Sequence, residues 1–452
     1  MFSRRSVLST QKEKTMEKPT IIVSPHKSAV SSNSDQLDVL IRVQAPDLTA
    51  NSNVQHTPKR LSIVVDRSGS MSGQPLDEAL RCVTYIANHL TPKDQMSFVV
   101  YDDDVDTLVP LMPMTSAKVI QDAVDGVRSG GSTNLFGGWE RGAEELEGGS
   151  DRAISRVLLL SDGQANHGVT NVSTIEEHCK RWLTKGISTT TVGLGRGFNE
   201  ELMVAMAQAG GGQQYYGQTA EDLYDNFEEE LSLLQSLYMR QINLKLIPAQ
   251  GVIIEMLSVA TQNADGTYKM NDLAFGSETW VAIRLHVSAS VVGTLRDLLV
   301  ASITGTHMDG TNITQASHML QLPVVDEGIL ATMPADELVV RRLLEVEFGR
   351  DAIELRQIAK DGNRRAIVRK LEQMEERYGM HPWLKAKMVQ LQRLAEEDTM
   401  MMMKEANFSG VRMSRRLVSK NEMLYSRDET DANMPSFLRK KDSEGTGRRK
   451  PR

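Results

Sequence analysis

The chain has 452 residues, a formal charge of −7 and a hydrophobic content of 40%. This length is enough for about two to four domains, and the net acidity argues against the broad basic surface that nucleic-acid binding requires. With only two cysteines, Cys82 and Cys179, the chain has neither a disulfide framework nor a cysteine-ligated zinc site.

The amino-terminal segment has no apparent targeting signal. Residues 1–18 carry charge without the apolar run of a signal peptide, and we expect them to be disordered. No stretch approaches about 18 consecutive apolar residues, so no membrane span is predicted. Both cysteines fall in apolar, helix-like stretches, which favours buried free thiols in a reducing compartment, with a single disulfide as the alternative. We therefore expect a soluble, cytoplasmic protein.

Two apolar runs precede the first long domain. Residues 20–23 and 37–43 flank a turn rich in Ser and Asn, a pattern typical of paired strands. A polar stretch, 51–60, follows them. We predict that residues 19–58 join a β module formed later in the chain.

Residues 59–239 alternate short apolar runs with amphipathic segments. The segment 75–90, for example, repeats apolar residues at helical spacing. Continuous apolar strands that alternate with helices are typical of a sheet covered on both faces. The pattern therefore predicts an α/β domain with a doubly wound, mainly parallel sheet. The principal predicted strands are 61–65, 95–101, 156–161 and 187–195.

The pattern changes twice after this domain. From 240 to 325, alternating strands separated by turn residues predict a β-sandwich-like module. From 326 to 400, helical spacing returns and predicts a C-terminal helical segment, either a hairpin or a small bundle. We expect residues 401–452 to be a mobile basic tail, although the methionines at 400–403 could instead continue the preceding helix.

Three loops of the α/β domain carry oxygen ligands. Asp66, Ser68 and Ser70 follow one predicted strand at alternating positions, Thr133 lies in a glycine-flanked loop, and Asp162 follows another strand. Loops at the carboxyl ends of parallel strands meet at one edge of the sheet. Carboxylates and hydroxyls are hard ligands of the kind that Mg²⁺ prefers. The sequence therefore predicts a five-residue metal site with low net charge.

This combination of D-x-S-x-S, a loop threonine and a second aspartate resembles the von Willebrand factor A (VWA) domain and its metal-ion-dependent adhesion site. The five residues match every position of that site. The resemblance implies a Rossmann-like fold and binding of Mg²⁺, Mn²⁺ or Ca²⁺, with Asp66 and Asp162 acting largely through water. It also implies that a protein partner completes the metal shell with an Asp or Glu carboxylate.

A wider resemblance covers about residues 20–325. The segment 192–216, VGLGRGFNEELMVAMAQAGGGQQYY, is similar to the inter-alpha-trypsin inhibitor heavy chains and to bacterial calcium-activated-chloride-channel-like proteins. In these proteins β-structure follows the VWA domain. The resemblance leaves the helical segment unassigned.

Enzymatic alternatives have weaker support. The run 98–107 superficially resembles the haloacid-dehalogenase signature, in which Asp102 would be the nucleophile and Asp104 the general acid of a metal-dependent phosphohydrolase. We expect a solvated acidic loop there instead, and we expect His167 to be a rim residue without a catalytic role. The chain has no P-loop motif and no zinc spacing such as H-E-x-x-H. We therefore predict a non-enzymatic interaction scaffold.

Charge divides unevenly along the chain. Residues 1–18 carry +3 and residues 436–452 carry +5, which leaves −15 for the region between them. An acidic body can hold a cation but repels polyanions, so the folded domains are not expected to bind nucleic acid. Some intracellular VWA proteins serve as adaptors of AAA+ ATPases, which is a further alternative for this chain.

Overall fold

A computed structural model describes most of the chain. The described residues are 18–47, 57–149, 153–194, 198–217, 224, 227, 230–231, 233–381, 384–413 and 418–419. Of the segments predicted to be disordered (1–18) or mobile (401–452), residues 1–17, 414–417 and 420–452 lie outside the described part. None of the described helices combines the length and the apolar character needed to cross a membrane.

The first three strands belong to a sandwich that the chain completes much later. They are β1 (Thr20–Pro25), β2 (Val30–Ser31) and β3 (Asp35–Gln44). β1 pairs antiparallel with β3, as the apolar runs of the sequence predict. The short β2 lies in the intervening turn and joins the other sheet of the sandwich.

The α/β domain follows, with a six-stranded sheet in the order β6-β5-β4-β7-β8-β9. All neighbours pair in parallel except β5 and β6. The predicted doubly wound sheet is therefore confirmed, and β6 is an antiparallel edge strand that the sequence analysis missed. The strands are β4 (Lys59–Asp66), β5 (Gln95–Tyr101), β6 (Val105–Pro113), β7 (Ile154–Ser161), β8 (Ile187–Leu194) and β9 (Gly211–Gly217).

Helices cover both faces of this sheet. Ile63 and Val65 of β4 pack in one core with α1 and α2, whereas Val64 packs on the opposite face with α3, α4 and α5. Alternate residues of a strand point to opposite faces, so a strand covered on both sides must be apolar throughout. The helices are α1 (Gln74–His89), α2 (Lys118–Asp125), α3 (Leu135–Glu145), α4 (Val172–Thr184) and α5 (Glu200–Gly210). The described residues 224, 227, 230–231 and 233–235 are also helical.

A β-sandwich is formed by strands that precede the α/β domain in the chain together with strands that follow it. One sheet has the order β1-β3-β14-β11 and the other β12-β10-β15-β17-β2. The amino-terminal strands β1 and β3 thus lie in the first of these sheets, and β2 lies in the second. The later strands are β10 (Leu237–Pro248), β11 (Val252–Met256), β12 (Tyr268–Lys269), β13 (Leu273–Ala274), β14 (Ser277–Val287), β15 (Leu295–His307), β16 (Asn312–Ala316) and β17 (Leu320–Val325).

A buried ionic network joins the two domains. The Nη1 atom of Arg156 on β7 lies 2.5 Å from Glu230, and its Nη2 atom lies 3.4 Å from Asp272 next to the sandwich strand β13. The hydroxyl of Tyr215 donates to Glu230 at 3.0 Å. Because a buried charge is costly without partners, this network favours one relative position of the two domains.

The carboxyl-terminal region is a helical module with its own core. Its helices are α6 (Glu327–Thr332), α7 (Glu337–Lys360), α8 (Arg364–Tyr378), α9 (Leu384–Glu397) and α10 (Thr399–Met413), and the strand β18 (Val418–Ser419) follows and pairs with β14. The start of α7 packs on the sandwich through Val339, Val346 and Trp280.

The expectation of a mobile tail from residue 401 is wrong for residues 401–413. These residues form most of α10, and the methionine run begins this separate helix instead of continuing α9. The carboxylate of Asp398 accepts the main-chain N–H groups of Met400 and Met401, both at 3.1 Å, which caps the new helix. Met401 and Met402 are buried. The apolar methionines therefore pack into the helical module.

Candidate metal site

Three loops meet at the carboxyl edge of the parallel sheet. Asp66 ends β4, Asp162 follows β7, and Thr133 lies two residues before α3. β4 and β7 are neighbours, with Val65 opposite Leu160. The pairing brings the ends of these two strands together, as the predicted site requires.

Asp66 is a fully buried carboxylate. Its Oδ1 atom accepts the main-chain N–H of Ser68 at 2.9 Å, and its Oδ2 atom accepts the hydroxyls of Ser161 at 2.7 Å and Tyr101 at 3.3 Å. Burial raises the pKa of this carboxyl and nearby Asp162 adds to the rise, against the opposing effect of the Ser68 and Ser161 hydrogen bonds. Within the described part of the chain, no basic side chain forms an ion pair with Asp66.

The first loop turns tightly after Asp66. A 3₁₀ turn over Gly69–Met71 brings the Oγ atoms of Ser68 and Ser70 to 3.2 Å from each other. Ser68 is buried while Ser70 is exposed. The two hydroxyls therefore connect the buried carboxylate with the surface.

Main-chain hydrogen bonds join the first loop to the second. The N–H of Gly69 donates to the carbonyl of Gly131 at 3.1 Å, and the N–H of Gly130 donates to the carbonyl of Arg67 at 2.9 Å. Gly131 has a φ of 69°, and a Cβ atom there would lie 2.8 Å from Asp103 Oδ2. A glycine is needed at this position because a side chain would be both strained and crowded.

The second loop is fastened to the third around Thr133, which is buried. The N–H of Thr133 donates to the Asn166 side chain at 2.8 Å, while its carbonyl accepts the N–H groups of Asn166 and His167, both at 3.2 Å. His167 is exposed, as expected for a rim residue. Asp162, also buried, accepts the N–H of Gln164 through Oδ1 at 3.1 Å.

The family assignment rests on the α/β domain. The sequence model of the von Willebrand factor type A domain family matches residues 61–230. This range contains the six-stranded sheet almost completely and all five predicted ligands. Residues 61–230 are a VWA domain.

Relatives extend the similarity beyond the VWA domain. The uncharacterized protein sll0103 of Synechocystis is 24% identical over 299 residues, which cover 61% of this chain and 67% of that protein. The inter-alpha-trypsin inhibitor heavy chain H4 of Bos taurus is 23% identical over 332 residues, which cover 69% of this chain and 34% of that one. The chain thus spans about a third of the length of this heavy chain. The resemblance to the heavy chains is confirmed.

A solved structure shares most of the fold. The von Willebrand factor type A protein from Catenulispora acidiphila superposes with a TM-score of 0.67 at 13% identity, covering 87% of this chain and 96% of that chain. At this identity the likeness shows the fold alone. Because it covers most of this chain, it extends beyond the VWA domain.

The residues at the edge of the sheet suit a hard divalent cation. Two carboxylates and three hydroxyls are oxygen ligands of the type that Mg²⁺ binds. Among the described residues there is no cluster of three or more His, Cys, Asp or Glu side chains suited to a metal, so a cation at this edge would depend on hydroxyl ligands as well. The observation that fits a cation site is the buried carboxylate of Asp66, which has no ionic partner among the described residues.

The acidic run after β5 supports the site loops. Arg67 binds Asp102 at 3.0 Å and Asp106 at 2.6 Å, and the N–H of Ser132 donates to Asp103 at 2.8 Å. The run is therefore ion-paired and structural, not merely solvated as we expected. The carboxylate of Asp102, the nucleophile of the phosphohydrolase alternative, is engaged by Arg67, while Asp104 is exposed. This geometry gives no support to that alternative.

The residues that hold the ligands in place were not among the sequence predictions. Tyr101 and Ser161 bind Asp66, Asn166 binds Thr133, and Arg67 joins the first loop to the acidic run. The serine directly before Asp162 was a visible signal, because a small hydroxyl at a buried strand end needs a polar partner. The other contacts depend on how separate loops align.

Proposed function

We propose that this protein is a metal-dependent interaction scaffold, in which the VWA domain binds an acidic residue of a partner protein. Asp66, Ser68, Ser70, Thr133 and Asp162 would hold Mg²⁺, with Mn²⁺ or Ca²⁺ as substitutes. When bound, the cation supplies an open coordination position for a carboxylate oxygen. The observation that supports this proposal most strongly is the buried Asp66, which lies next to the hydroxyls of the first loop without an ionic partner among the described residues.

The ligand set favours binding over catalysis. Three of the five groups are neutral hydroxyls, so a bound cation would retain most of its attraction for an incoming carboxylate. Hydrolysis would need a general base near the site, and exposed His167 contacts the site loops through its main-chain N–H. VWA domains are generally protein-interaction modules, which supports the same conclusion.

The site loops are arranged to receive a partner with little rearrangement. The buried side chains of Asp66, Ser68 and Thr133 are fixed by hydrogen bonds or burial, while Ser70 faces the surface. A preorganised site loses less conformational entropy when a partner binds. The chain's own contribution is therefore to fix the ligand positions and leave one side of the site accessible.

The same proposal places the scaffold in the cytoplasm. Cys82 and Cys179 are both buried and free, so neither forms the disulfide that we held as an alternative. Reduced cysteines are typical of proteins in reducing compartments. Fractionation of cells that express the native protein should find it with soluble cytoplasmic markers, and recovery in an extracellular fraction would contradict this part of the proposal.

The metal proposal is tested by direct binding and by partner capture. Isothermal titration with Mn²⁺ should show one site in the wild type, none in Asp66→Ala, and a wild-type site in the control Asp361→Ala, which changes an exposed aspartate of the helical module. A pull-down should lose its partner in Asp66→Ala and in the presence of EDTA. Undiminished Mn²⁺ binding by Asp66→Ala would overturn the assignment of the site.

A further inference from the structure

The helical module places a buried lysine beside the VWA domain. Lys404 of α10 is 4% exposed, and its Nζ atom donates to the carbonyl of Phe198 at 2.8 Å. The same ammonium lies 4.2 Å from the centre of the Phe198 ring. α10 therefore holds the main chain just before α5 with both a hydrogen bond and a cation–π contact.

This contact is linked through main-chain hydrogen bonding to Asp162, a predicted metal ligand. The N–H of Asn199, next to Phe198, donates to the carbonyl of Asp162 at 2.7 Å. Two successive hydrogen bonds thus connect Lys404 with the residue that carries a ligand carboxylate. Burial lowers the pKa of Lys404, and the negative charges of Glu200, Asp398 and Asp162 oppose that fall.

We propose that Lys404 is an intramolecular competitor of the metal, so that docking of α10 and metal binding at Asp162 oppose each other. The inference rests on the proposed function and adds regulation to the same site. With α10 docked, the buried ammonium compensates part of the negative charge that a dication would otherwise neutralise. Two cations near one carboxylate repel each other, and the repulsion is stronger in a buried setting than in water.

Polar contacts join the helical module to the VWA domain around α10. Arg356 of α7 lies 2.7 Å from Glu200 on the VWA domain. Buried Glu405 of α10 accepts the hydroxyl of Tyr216 and lies 3.0 Å from Lys387. Interactions of this kind respond to nearby charge, and coupling between two sites is reciprocal. Metal binding should therefore loosen α10, just as removal of the Lys404 charge should strengthen metal binding.

The first experiment measures Mn²⁺ affinity by isothermal titration with full-length protein. Lys404→Met, which removes the charge but keeps most of the side-chain volume, should lower the Kd about threefold to tenfold. Lys404→Arg keeps the charge and should bind as the wild type does. The matched control Lys360→Met removes another lysine that faces the VWA domain, 3.7 Å from Glu201, and should leave the Kd unchanged.

The second experiment uses the unmodified protein. Hydrogen–deuterium exchange over residues 399–413 should increase when Mn²⁺ is added to the wild type and should not respond in Asp66→Ala. A Kd of Lys404→Met equal to or weaker than that of the wild type would overturn the inference, as would unchanged or slower exchange. If the wild type binds Mn²⁺ normally, these results leave the proposed function intact. Absence of Mn²⁺ binding by the wild type overturns both.

Discussion

The guanidinium of Arg67 lies 3.0 Å from the carboxylate of Asp102, and this ion pair joins the first loop of the candidate metal site to the acidic run after β5. Arg67 sits between the first two predicted ligands of the first loop. The main-chain carbonyl of Asp102 accepts the N–H of Asn134, next to Thr133, at 2.9 Å. The pair therefore helps to fix the distance between the first loop and the second.

Removal of this ion pair should weaken metal binding more than it weakens the fold. Arg67→Met keeps much of the side-chain stem but frees the first loop from Asp102 and Asp106. Loss of a group that orients metal ligands costs about tenfold in affinity, while a partly exposed ion pair contributes at most about 1 kcal/mol to stability. Titration with Mn²⁺ and urea unfolding measure the two effects separately.

Arg141→Met is the matched control for Arg67→Met. Arg141 also forms ion pairs with acidic residues, Glu144 and Glu145, but on helix α3 and not in a site loop. The Arg141→Met variant should retain the Mn²⁺ affinity of the wild type. An equal loss of Mn²⁺ affinity in both variants would show that Arg67 affects metal binding only through its charge. It would contradict a role of Arg67 in orienting the loop.

The buried carboxylate of Asp66 should oppose folding in the absence of metal. Its burial and the nearby Asp162 both disfavour the ionised form. Asp66→Asn keeps the shape and can still accept the N–H of Ser68, so the metal-free variant should be at least as stable as the metal-free wild type. The wild type should gain about 2.7 kcal/mol at a metal concentration of 100 Kd, whereas the variant should gain nothing.

Thermal unfolding with and without Mg²⁺ checks this expectation. The metal-dependent rise in Tm should be present in the wild type and in Asp361→Asn, which changes an exposed aspartate. A wild-type Tm that does not change with Mg²⁺, or an Asp66→Asn Tm that rises with Mg²⁺, would contradict the assignment of Asp66 to the metal site. A metal-free variant much less stable than the wild type would show that Asp66 is primarily a structural residue.

The buried strands are the part of the fold that sequence predicts best. Strands buried on both faces appear as unbroken apolar runs, so β4, β5, β7 and β8 can be recognised without further information. The edge strand β6 is different, because Val109 is buried while Leu108 and Pro110 are exposed. Its mixed pattern and the preceding aspartates resemble a loop.

Helix α10 escapes prediction because its polar residues are buried. Lys404 and Glu405 lower the apparent apolar content of the segment, yet both are buried. Lys404 binds the VWA domain, and Glu405 binds Tyr216 and Lys387. Charged residues are normally exposed, so a sequence pattern alone assigns such a segment to a solvated tail.

The candidate ligands can be predicted because their positions follow the strand ends. Their supporting contacts cannot, since Tyr101 reaches Asp66 across neighbouring strands and Asn166 reaches Thr133 across two loops. These contacts depend on register and loop shape, which have no short-range signature in the sequence. Prediction therefore covers the chemistry of the site better than the way it is held in place.

The ion pair between Lys59 and Asp94 should stabilise the base of the VWA domain. Both side chains are buried, and Nζ lies 3.2 Å from Oδ1. Burial by itself raises the pKa of Asp94, but hydrogen bonds from Lys59 and Thr91 and the lysine charge outweigh it and lower the pKa. Asp94→Asn leaves a buried ammonium with weaker compensation and should cost about 3 kcal/mol at pH 7.

The pH dependence of stability provides a second test of this ion pair. A carboxyl whose pKa is lower in the folded state than the ordinary value of about 3.9 stabilises the fold above that value. Its contribution is lost as the pH falls towards the lowered pKa. The difference between wild type and Asp94→Asn in urea unfolding should therefore be largest near neutral pH and shrink below about pH 4.

Glu147→Gln is the control for Asp94→Asn. Glu147 also pairs with a lysine, Lys185, at 2.6 Å, but both side chains are about half exposed. Its substitution should change stability by less than about 0.5 kcal/mol at any pH. If Asp94→Asn lowered the free energy of unfolding equally at every pH, the hydrogen bonds of the Asp94 carboxyl would be important for stability and its charge would not.

Gly138 of helix α3 controls the position of Tyr101, and through it that of Asp66. A Cβ atom at Gly138 would lie 2.2 Å from Cδ1 of Tyr101, whose hydroxyl donates to Asp66. The ring is fully buried and cannot move aside freely. Gly138→Ala should therefore cost about 1–3 kcal/mol through overpacking and weaken Mn²⁺ binding. Gly328→Ala, in helix α6 with open space around the new methyl group, should do neither. Unchanged Mn²⁺ affinity in a destabilised Gly138→Ala variant would show that Tyr101 supports the core without positioning Asp66.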